Sequence, residues 1–260
     1  MVNSLDKKIA VITGAGSGIG KACALLFAER GATVVVNDVH GDNAEATVAA
    51  IRSRGGNAIA HAADVTDAAQ VAQLVTATVA RFQRLDVLFN NAGGAFPRPT
   101  HETGIDEYRR IIALNLDSMF YGIHAALPVM LRQGHGVILS TTSGAGLNAV
   151  LHLAAYGAAK AGVINLTKSI AVEYGHAGIR ANVISPGPMD TPALRAWLDT
   201  VPGGAAEYAR QVPAGRLGTA EDIAHMAAFL ASDAAAFVNG VVVPVDGGIH
   251  AQLATPRLAT

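Results

Sequence analysis

The sequence predicts an α/β protein in which residues 1–260 form a single doubly wound domain around a seven-stranded parallel sheet. Two observations predict this fold. Short runs of β-branched and apolar residues alternate with longer helical patterns along the whole chain, which is typical of a parallel sheet with right-handed crossovers. In addition, no linker rich in proline, serine or glycine, no run of like charges and no internal repeat divides the chain. We therefore expect one domain.

The strands are predicted where short runs are almost continuously apolar, because strands covered by helices on both faces are buried throughout. These runs are 9–13, 33–37, 58–62, 87–90, 136–140, 180–184 and 240–245. Helices are predicted in the amphipathic or alanine-rich stretches between them, at about 18–30, 41–54, 67–83, 103–132, 154–175 and 219–232. The alternation breaks at 186–215, where proline and glycine surround two short helical pieces (about 192–199 and 204–211). Such a segment suits a lid over a site.

The composition excludes several classes of protein. Hydrophobic residues make up 51% of the chain and charged residues 15%, which suits a packed core. A net charge of −1 offers no basic surface to nucleic acid or to an anionic membrane. The apolar runs are too short to cross a bilayer, and the N-terminus lacks a signal-peptide pattern. The single cysteine, Cys23, cannot form an internal disulfide, so we expect a cytoplasmic protein.

A glycine-rich turn at 13–20 (TGAGSGIG) follows the first strand and opens the first helix. Glycines let the backbone turn sharply and approach a pyrophosphate, whose charge then lies at the helix N-terminus. The spacing is looser than the usual G-x-G-x-x-G, and a tight turn without a ligand is the alternative. The dinucleotide contacts predicted in this turn are Gly14, Ser17, Gly18, Ile19 and Gly20.

The second strand leads into Asp38, 18 residues beyond Gly20, where a carboxylate can accept hydrogen bonds from an adenosine ribose. A carboxylate there also repels the 2′-phosphate of NADP. The cation that would compensate this phosphate is missing, because Ser17 occupies the loop, Val39 follows the acid, and His40 is mostly neutral at pH 7. The sequence therefore predicts NAD as the cofactor, and a solvated acid at a strand end is the alternative.

Tyr156 and Lys160 lie four residues apart in a helical pattern, so their side chains emerge on one face. A free tyrosine has a pKa of about 10, and bringing it near 7 requires roughly 4 kcal/mol. A lysine ammonium and a positive nicotinamide ring nearby both favour the phenolate. We therefore expect Tyr156 to exchange the proton of an alcohol.

Two further polar residues are candidates for this chemistry. Ser143 follows the fifth strand, 13 residues before Tyr156, where a hydroxyl could hold the substrate oxygen. The hydroxyl residues at 140–142 compete for this role, and the spacing favours Ser143. Asn115 is a polar amide within a long apolar helical stretch. Such an amide is more often a satisfied core residue than a catalytic one.

Together these residues resemble the short-chain dehydrogenase/reductase family, whose members have a Rossmann fold. The resemblance covers about residues 6 to 248. Its landmarks are TGAGSGIG at 13–20, Asp64 after the third strand, NNAG at 90–93, Asn115, Ser143, Tyr156 with Lys160, PGP at 186–188 with Thr191, and VDGG at 245–248. The resemblance implies an NAD-dependent oxidoreductase that interconverts a secondary alcohol and a ketone.

The resemblance also implies roles for individual residues. It implies cofactor contacts for Asp64 and Val65 (adenine), Asn91 and Gly93 (cofactor channel), Tyr156 and Lys160 (nicotinamide ribose side), and Pro186, Met189 and Thr191 (carboxamide side). Asn115 would anchor a water in a proton relay behind Lys160. The NNAG motif has a structural alternative, in which it holds the central turn of the sheet.

The substrate pocket is predicted to be walled by residues that flank the catalytic groups. These are Gly94, Ala95, Ala145, Leu147, Leu153, Pro188 and Met189, with Leu194 and Trp197 of the lid closing over them. The polar Asn148 and His152 are expected at the rim, and Arg195 should point about 100° away from Leu194 on its helix. Because nearly all of the walls are apolar, we predict an uncharged, mainly apolar substrate.

Two alternative functions remain beside this one. A 3-oxoacyl-carrier-protein reductase shares every motif, but it usually goes with NADP and with basic residues beside the cleft, and one such base, Arg132, is evident here. A cofactor-sensing regulator should have lost part of the set Ser143, Tyr156 and Lys160, which is whole in this chain. The nine histidines are scattered without a His-x-x-x-His pair, so we expect no catalytic metal.

Self-association is predicted from the helical stretches 103–132 and 154–175. They are apolar around more of their circumference than one sheet contact covers. In the first stretch the residues concerned are Met119, Phe120, Tyr121, Leu127 and Val129. Proteins of the resembling family pair these two helices across a two-fold axis, and the final strand with its tail often builds a second interface. We therefore predict a homotetramer.

Overall fold

The strands of the computed structural model, which describes residues 4–252, form one parallel sheet. They are β1 (Ile9–Ile12), β2 (Thr33–Asp38), β3 (Asn57–Ala62), β4 (Val87–Asn90), β5 (Gly136–Thr141), β6 (Ile179–Pro186) and β7 (Val242–Val245). The order across the sheet is β3-β2-β1-β4-β5-β6-β7. The direction of winding reverses between β1 and β4, and ligands of doubly wound sheets bind in the crevice at such a point. The predicted fold class is confirmed.

Helices cover both faces of the sheet. They are α1 (Gly18–Glu29), α2 (Gly41–Ser53), α3 (Ala68–Phe82), α4 (Ile105–Ile112), α5 (Ser118–Gln133), α6 (Gly144–Leu147), α7 (Ala154–Tyr174), α8 (Pro192–Leu198), α9 (Gly204–Gln211) and α10 (Ala220–Ala231). One buried cluster packs α1, α2 and α10 on the sheet, through residues such as Phe27 and Ile223. A second cluster packs α3, α5 and α7 on the opposite face, through Leu74, Ile123 and Ile170.

The predicted helix at 103–132 is not continuous. A π-helical segment, Ala113–Asp117, separates α4 from α5. The side-chain amide of Asn115 donates to the carbonyl of Ile111 at 3.0 Å, which is the carbonyl that a regular α-helix reserves for the backbone N–H of residue 115. The π-segment therefore arises where a polar side chain competes with the helix backbone, and such segments are frequent at functional sites.

The segment predicted to form a lid, called the lid segment here, begins after β6, and its two ends are joined. Met189 and Gly218 form a parallel bridge, in which Asp190 N–H donates to the Gly218 carbonyl at 2.7 Å. Within the lid, the rings of Trp197 and Tyr208 meet edge to face with centroids 6.3 Å apart, and this contact joins α8 to α9. The chain from 186 to 218 thus forms a closed loop, and its role as a lid over a site stays a prediction. The tail predicted to support a second interface falls mainly on 253–260, outside the described residues.

Candidate active site

The glycine turn after β1 has the shape of a phosphate cradle. Gly14 and Gly18 adopt φ angles of +62° and +51°, which residues other than glycine rarely adopt. A Cβ on Gly20 would lie 2.2 Å from the carbonyl oxygen of Gly14, so the turn excludes any side chain there. Ser17 precedes α1 without forming a side-chain cap, which leaves the N–H groups of the first helical turn directed at the crevice. These residues fit a dinucleotide pyrophosphate.

Asp38 lies beside this turn and is held by it. One carboxylate oxygen accepts the N–H of Gly16 at 3.0 Å, and the other accepts the N–H of His40 at 3.0 Å. A Cβ on Gly16 would lie 2.6 Å from the carboxylate, so this position also requires glycine. Sequence reasoning missed Gly16, although it belongs to the same motif. Each carboxylate oxygen retains a lone pair that can accept a ribose hydroxyl.

Asn91 ties together the strands on either side of the crevice. Its amide donates to the carbonyl of Thr13 at 3.1 Å, and its oxygen accepts the hydroxyl of Thr141 at 3.3 Å. The Thr13 hydroxyl accepts the N–H groups of Asn91 and Ala92, both at 3.0 Å. These bonds support the structural interpretation of the NNAG motif, and they show a role for Thr13 that sequence reasoning missed.

The remaining predicted cofactor residues also lie at the carboxyl edge of the sheet. Asp64 follows β3 and accepts the N–H and the hydroxyl of Thr66, each at 2.8 Å. Val65 is buried, Pro186 ends β6, and Met189, near the start of the lid segment, is also buried. Thr191 caps the N-terminus of α8, and its methyl group would lie 3.8 Å from a Cβ on Gly18. The lid therefore begins within contact distance of the cradle.

Ser143 and Tyr156 meet through their side chains. Ser143 caps the short helix α6, where its oxygen accepts the N–H of Ala145 at 3.2 Å, and its hydroxyl forms a hydrogen bond with Tyr156. Of the competing hydroxyls, that of Thr141 bonds to Asn91, and that of Thr142 donates to the carbonyl of Lys160 at 2.8 Å. The hydroxyl of Ser140 is buried without a hydrogen-bond partner. Of these candidates, Ser143 is the one that contacts the tyrosine.

Lys160 is completely buried behind Tyr156. Its ammonium group lies 5.6 Å from the centroid of the Tyr156 ring and donates to the carbonyl of Thr141 at 2.9 Å. Burial lowers the pKa of Lys160 from 10.5 to about 7. A carbonyl at the end of β5 therefore fixes the lysine, and backbone carbonyls carry no signal in the sequence.

The pKa of Tyr156 shifts in the direction opposite to the one expected from the sequence. Burial of the phenol raises its pKa, and the hydrogen bond with Ser143 offsets this rise in part. The shift in the pKa of Tyr156 has these two causes, and Lys160 is not one of them. A phenolate therefore needs additional positive charge close to the ring.

The buried lysine leads to a prediction about stability: Lys160→Met is expected to abolish turnover but to stabilise the fold. Depression of the pKa from 10.5 to about 7 corresponds to a folding cost of at most roughly 4 kcal/mol near pH 7. Between these two values the unfolded chain binds more protons than the folded one, so this cost falls as the pH rises. Thermal unfolding without cofactor should give a Tm several degrees above wild type at pH 7 and a smaller gain at pH 10. A gain that grows with pH contradicts the account.

Asn115 is buried with its amide engaged by the backbone. Its oxygen accepts the N–H of Gly94 at 3.0 Å, and its nitrogen donates to the carbonyls of Gly94 and Ile111, both at 3.0 Å. A Cβ on Gly93 would lie 2.7 Å from this oxygen and 3.2 Å from the Lys160 ammonium. Glycine at 93 thus keeps open a space that both polar atoms border. The satisfied-core interpretation holds, while the water relay stays a prediction.

On the substrate side, the structure places the predicted wall residues around the ends of β4, β5 and β6. Asn148 and His152 are exposed, as expected for a rim, whereas Leu147, which was predicted as a wall, is exposed as well. Arg195 lies on α8 with its guanidinium bound to both oxygens of Asp190. Its charge is therefore compensated within the lid itself, and sequence reasoning did not identify this partner.

No group of three or more metal-binding side chains occurs among residues 4–252. Within the same range, no helix has both the length and the apolar character that a membrane span requires.

Comparison with known proteins places this arrangement among enzymes. A family model described as "Enoyl-(Acyl carrier protein) reductase" matches residues 14–250. The chain is 41% identical over 249 residues to cyclohexanol dehydrogenase of Acinetobacter sp. (strain SE19), covering 95% of this chain and 96% of that protein. It is 43% identical over 252 residues to cis-4-hydroxycyclohexanecarboxylate dehydrogenase of Sinomonas cyclohexanicum, covering 96% and 100%.

A solved structure shows the same fold with ligands bound. It is 7α-hydroxysteroid dehydrogenase complexed with NADH and 7-oxo glycochenodeoxycholic acid. The TM-score is 0.89 at 37% sequence identity, and the match covers 95% of this chain and 96% of that one. Solved structures among the matches contain NADH in one case and NADP in another.

Proposed function

Because the chain belongs to the short-chain dehydrogenase/reductase family and is an oxidoreductase that interconverts secondary alcohols and ketones, we propose that it uses NAD, that its substrate is uncharged and mainly apolar, and that Tyr156 exchanges the alcohol proton. The observation that carries this proposal is the contact between Ser143 and Tyr156 above the buried Lys160. Because Ser143, Tyr156 and Lys160 are all present and adjacent, a regulator without catalytic activity is disfavoured. Asp38 argues against a carrier-protein reductase that uses NADP.

The chain's own residues account for the proton chemistry in this proposal. NAD, when bound, supplies the hydride acceptor and a positively charged ring. Ser143 holds the substrate oxygen, and Tyr156 accepts the hydroxyl proton during oxidation or returns it during reduction. The buried Lys160 binds the nicotinamide ribose and stabilises the phenolate once its ammonium is charged. Asn115, at the space beside Gly93, would hold the water that carries the proton away.

Charge compensation in the lid supports an uncharged substrate. Arg195 is the cation that follows the predicted pocket residue Leu194, and it is bound to Asp190. A substrate carboxylate would have to displace an existing bidentate ion pair. One relative, named above, acts on cis-4-hydroxycyclohexanecarboxylate, which carries a carboxylate. A comparison of charged and uncharged ring alcohols is therefore the most demanding test of the uncharged substrate. All three relatives described above act on, or bind, a molecule with an oxygen on a saturated six-membered ring.

Steady-state oxidation of matched ring alcohols with NAD tests this proposal. We expect kcat/KM for cyclohexanol and 4-methylcyclohexanol to exceed that for cis-4-hydroxycyclohexanecarboxylate by about tenfold or more, since Arg195 is already paired with Asp190 and the predicted walls are mainly apolar. Arg195→Ala should leave the order of preference unchanged. A best substrate that carries a carboxylate, together with loss of its turnover in Arg195→Ala, would refute the uncharged substrate.

A homotetramer is also part of the proposal. Met119 and Leu127 turn out to be buried within the subunit. Phe120 on α5 and Val172 on α7 remain exposed, the latter at 83% of its surface, and exposed apolar residues on these helices support an interface. Light scattering at micromolar concentration should report about four times the chain mass of 26.6 kDa. A mass of 26.6 kDa would refute the assembly.

A further inference from the structure

An apolar loop joins the two helices that carry the catalytic hydroxyls. The loop, residues 147–152 (LNAVLH), runs from α6, which Ser143 caps, to α7, whose first turn holds Tyr156. Exposed loops are normally polar. Here Leu147, Val150 and Leu151 are all exposed, and Leu151 exposes 81% of its surface. Three large apolar side chains in six residues at the mouth of a site indicate a contact with something apolar.

The loop is held in place. His152 adopts a φ of +63°, a strained conformation for a residue other than glycine. Its carbonyl accepts the N–H of Arg98 at 2.8 Å, and the Val150 carbonyl accepts the N–H of Leu153 at 3.2 Å. The first bond fastens the loop to the one that follows β4, and the second closes a turn at its own end. The exposed apolar side chains are therefore part of a preformed surface.

The loop after β4 adds a further apolar side chain to this surface. Phe96 is partly exposed, and a Cβ on Gly94 would lie 3.5 Å from its ring. The guanidinium of Arg110 lies over the same ring, 5.7 Å from its centroid, while Arg98 pairs with Glu107 at 3.0 Å. The loop after β4 starts at the carboxyl edge of the sheet, next to the end of β5, which leads through α6 into the loop 147–152. The apolar side chains of both loops therefore belong to the same edge of the sheet as Ser143 and Tyr156.

We infer that this rim, formed by Phe96, Leu147, Val150 and Leu151, binds a hydrophobic part of the substrate that extends beyond the ring bearing the reacting carbon. The inference rests on the proposed function. It narrows the substrate class to secondary alcohols whose hydroxyl-bearing ring carries an alkyl group or a second ring. Leu151, the most exposed of the four, determines the preference for this extension, whereas Ser143 and Tyr156 contact only the reacting end.

Kinetics with a homologous series tests the rim. Wild-type kcat/KM should rise from cyclohexanol through 4-methyl- to 4-propylcyclohexanol, by up to about fourfold per methylene, the equivalent of about 0.8 kcal/mol per buried CH₂. Leu151→Ser should flatten this rise and change kcat/KM for cyclohexanol by less than about twofold, because the ring itself does not reach the rim. Leu131→Ser, an exposed leucine at the far end of α5, is the matched control and should keep the wild-type dependence.

The outcomes separate the two proposals. The proposed role of the rim alone is overturned if kcat/KM does not depend on the length of the alkyl group. It is also overturned if Leu151→Ser keeps the wild-type dependence. Loss of the assembled mass in Leu151→Ser also overturns it, because the surface would then belong to a subunit contact. Failure of wild-type enzyme to oxidise any of these alcohols overturns the proposed substrate class and the rim with it.

Discussion

Replacement of Tyr156 by phenylalanine is expected to lower turnover by about a thousandfold or more while NAD still binds. The change removes the hydroxyl that contacts Ser143 and keeps the ring that Lys160 packs against. Without the hydroxyl, no group at this place can accept the alcohol proton while hydride leaves the carbon. Steady-state oxidation measures the loss, and calorimetric titration with NAD measures the binding that should persist.

The matched control for this variant is Tyr174→Phe, at the other end of the same helix α7. It makes the same chemical change away from the site and should retain wild-type turnover. If Tyr156→Phe kept about a tenth of wild-type turnover, the assignment of the proton-exchanging residue would be wrong, since a general base contributes about a hundredfold or more.

A preference for NAD over NADP of about a hundredfold or more is the second large effect that we expect. At about 4 Å, a unit of like charge costs up to about 4 kcal/mol at an effective dielectric constant of 20, and solvent screens part of it. Asp38 supplies this charge, and the N–H groups of Gly16 and His40 hold its carboxylate in place. Asp38→Asn should reduce the ratio of kcat/KM for the two cofactors by about tenfold or more.

Asp42→Asn is the control for this experiment. Asp42 is an exposed acid in the first turn of α2, and its replacement removes the same unit of charge four residues away. The cofactor ratio should then stay close to that of wild type. Similar kcat/KM values for NAD and NADP in the wild-type enzyme would end the argument from Asp38.

Much of the fold could be predicted because its determinants are local. Apolar runs such as Val34–Val36 mark buried strands directly, and the alternation with helices implies the parallel order. The candidate catalytic residues could also be predicted, since Tyr156 and Lys160 share a helix face and Ser143 follows a strand end. The crevice brings these groups together because all the strands point their carboxyl ends at one edge.

The features that the sequence did not predict depend on contacts and burial in the folded chain. The π-segment arises because the side-chain amide of Asn115 competes with the helix backbone for the carbonyl of Ile111. The periodicity of apolar residues does not reveal this competition. The raised pKa of Tyr156 follows from burial, which spacing along a helix does not express. The ion pair of Arg195 with Asp190 joins a helix to the loop before it, where helical geometry predicts no neighbour. The cytoplasmic location stays a prediction from the sequence.

The central claim is that hydride passes between the carbinol carbon of a secondary alcohol and nicotinamide within the site that Tyr156, Ser143 and Lys160 define. Oxidation of cyclohexanol carrying deuterium on its carbinol carbon, with NAD as cofactor, tests it most directly. Mass spectrometry of the NADH formed should show one deuterium gained per turnover, with a reaction rate that Tyr156→Phe suppresses. NADH without deuterium, or undiminished transfer in Tyr156→Phe, would contradict the account.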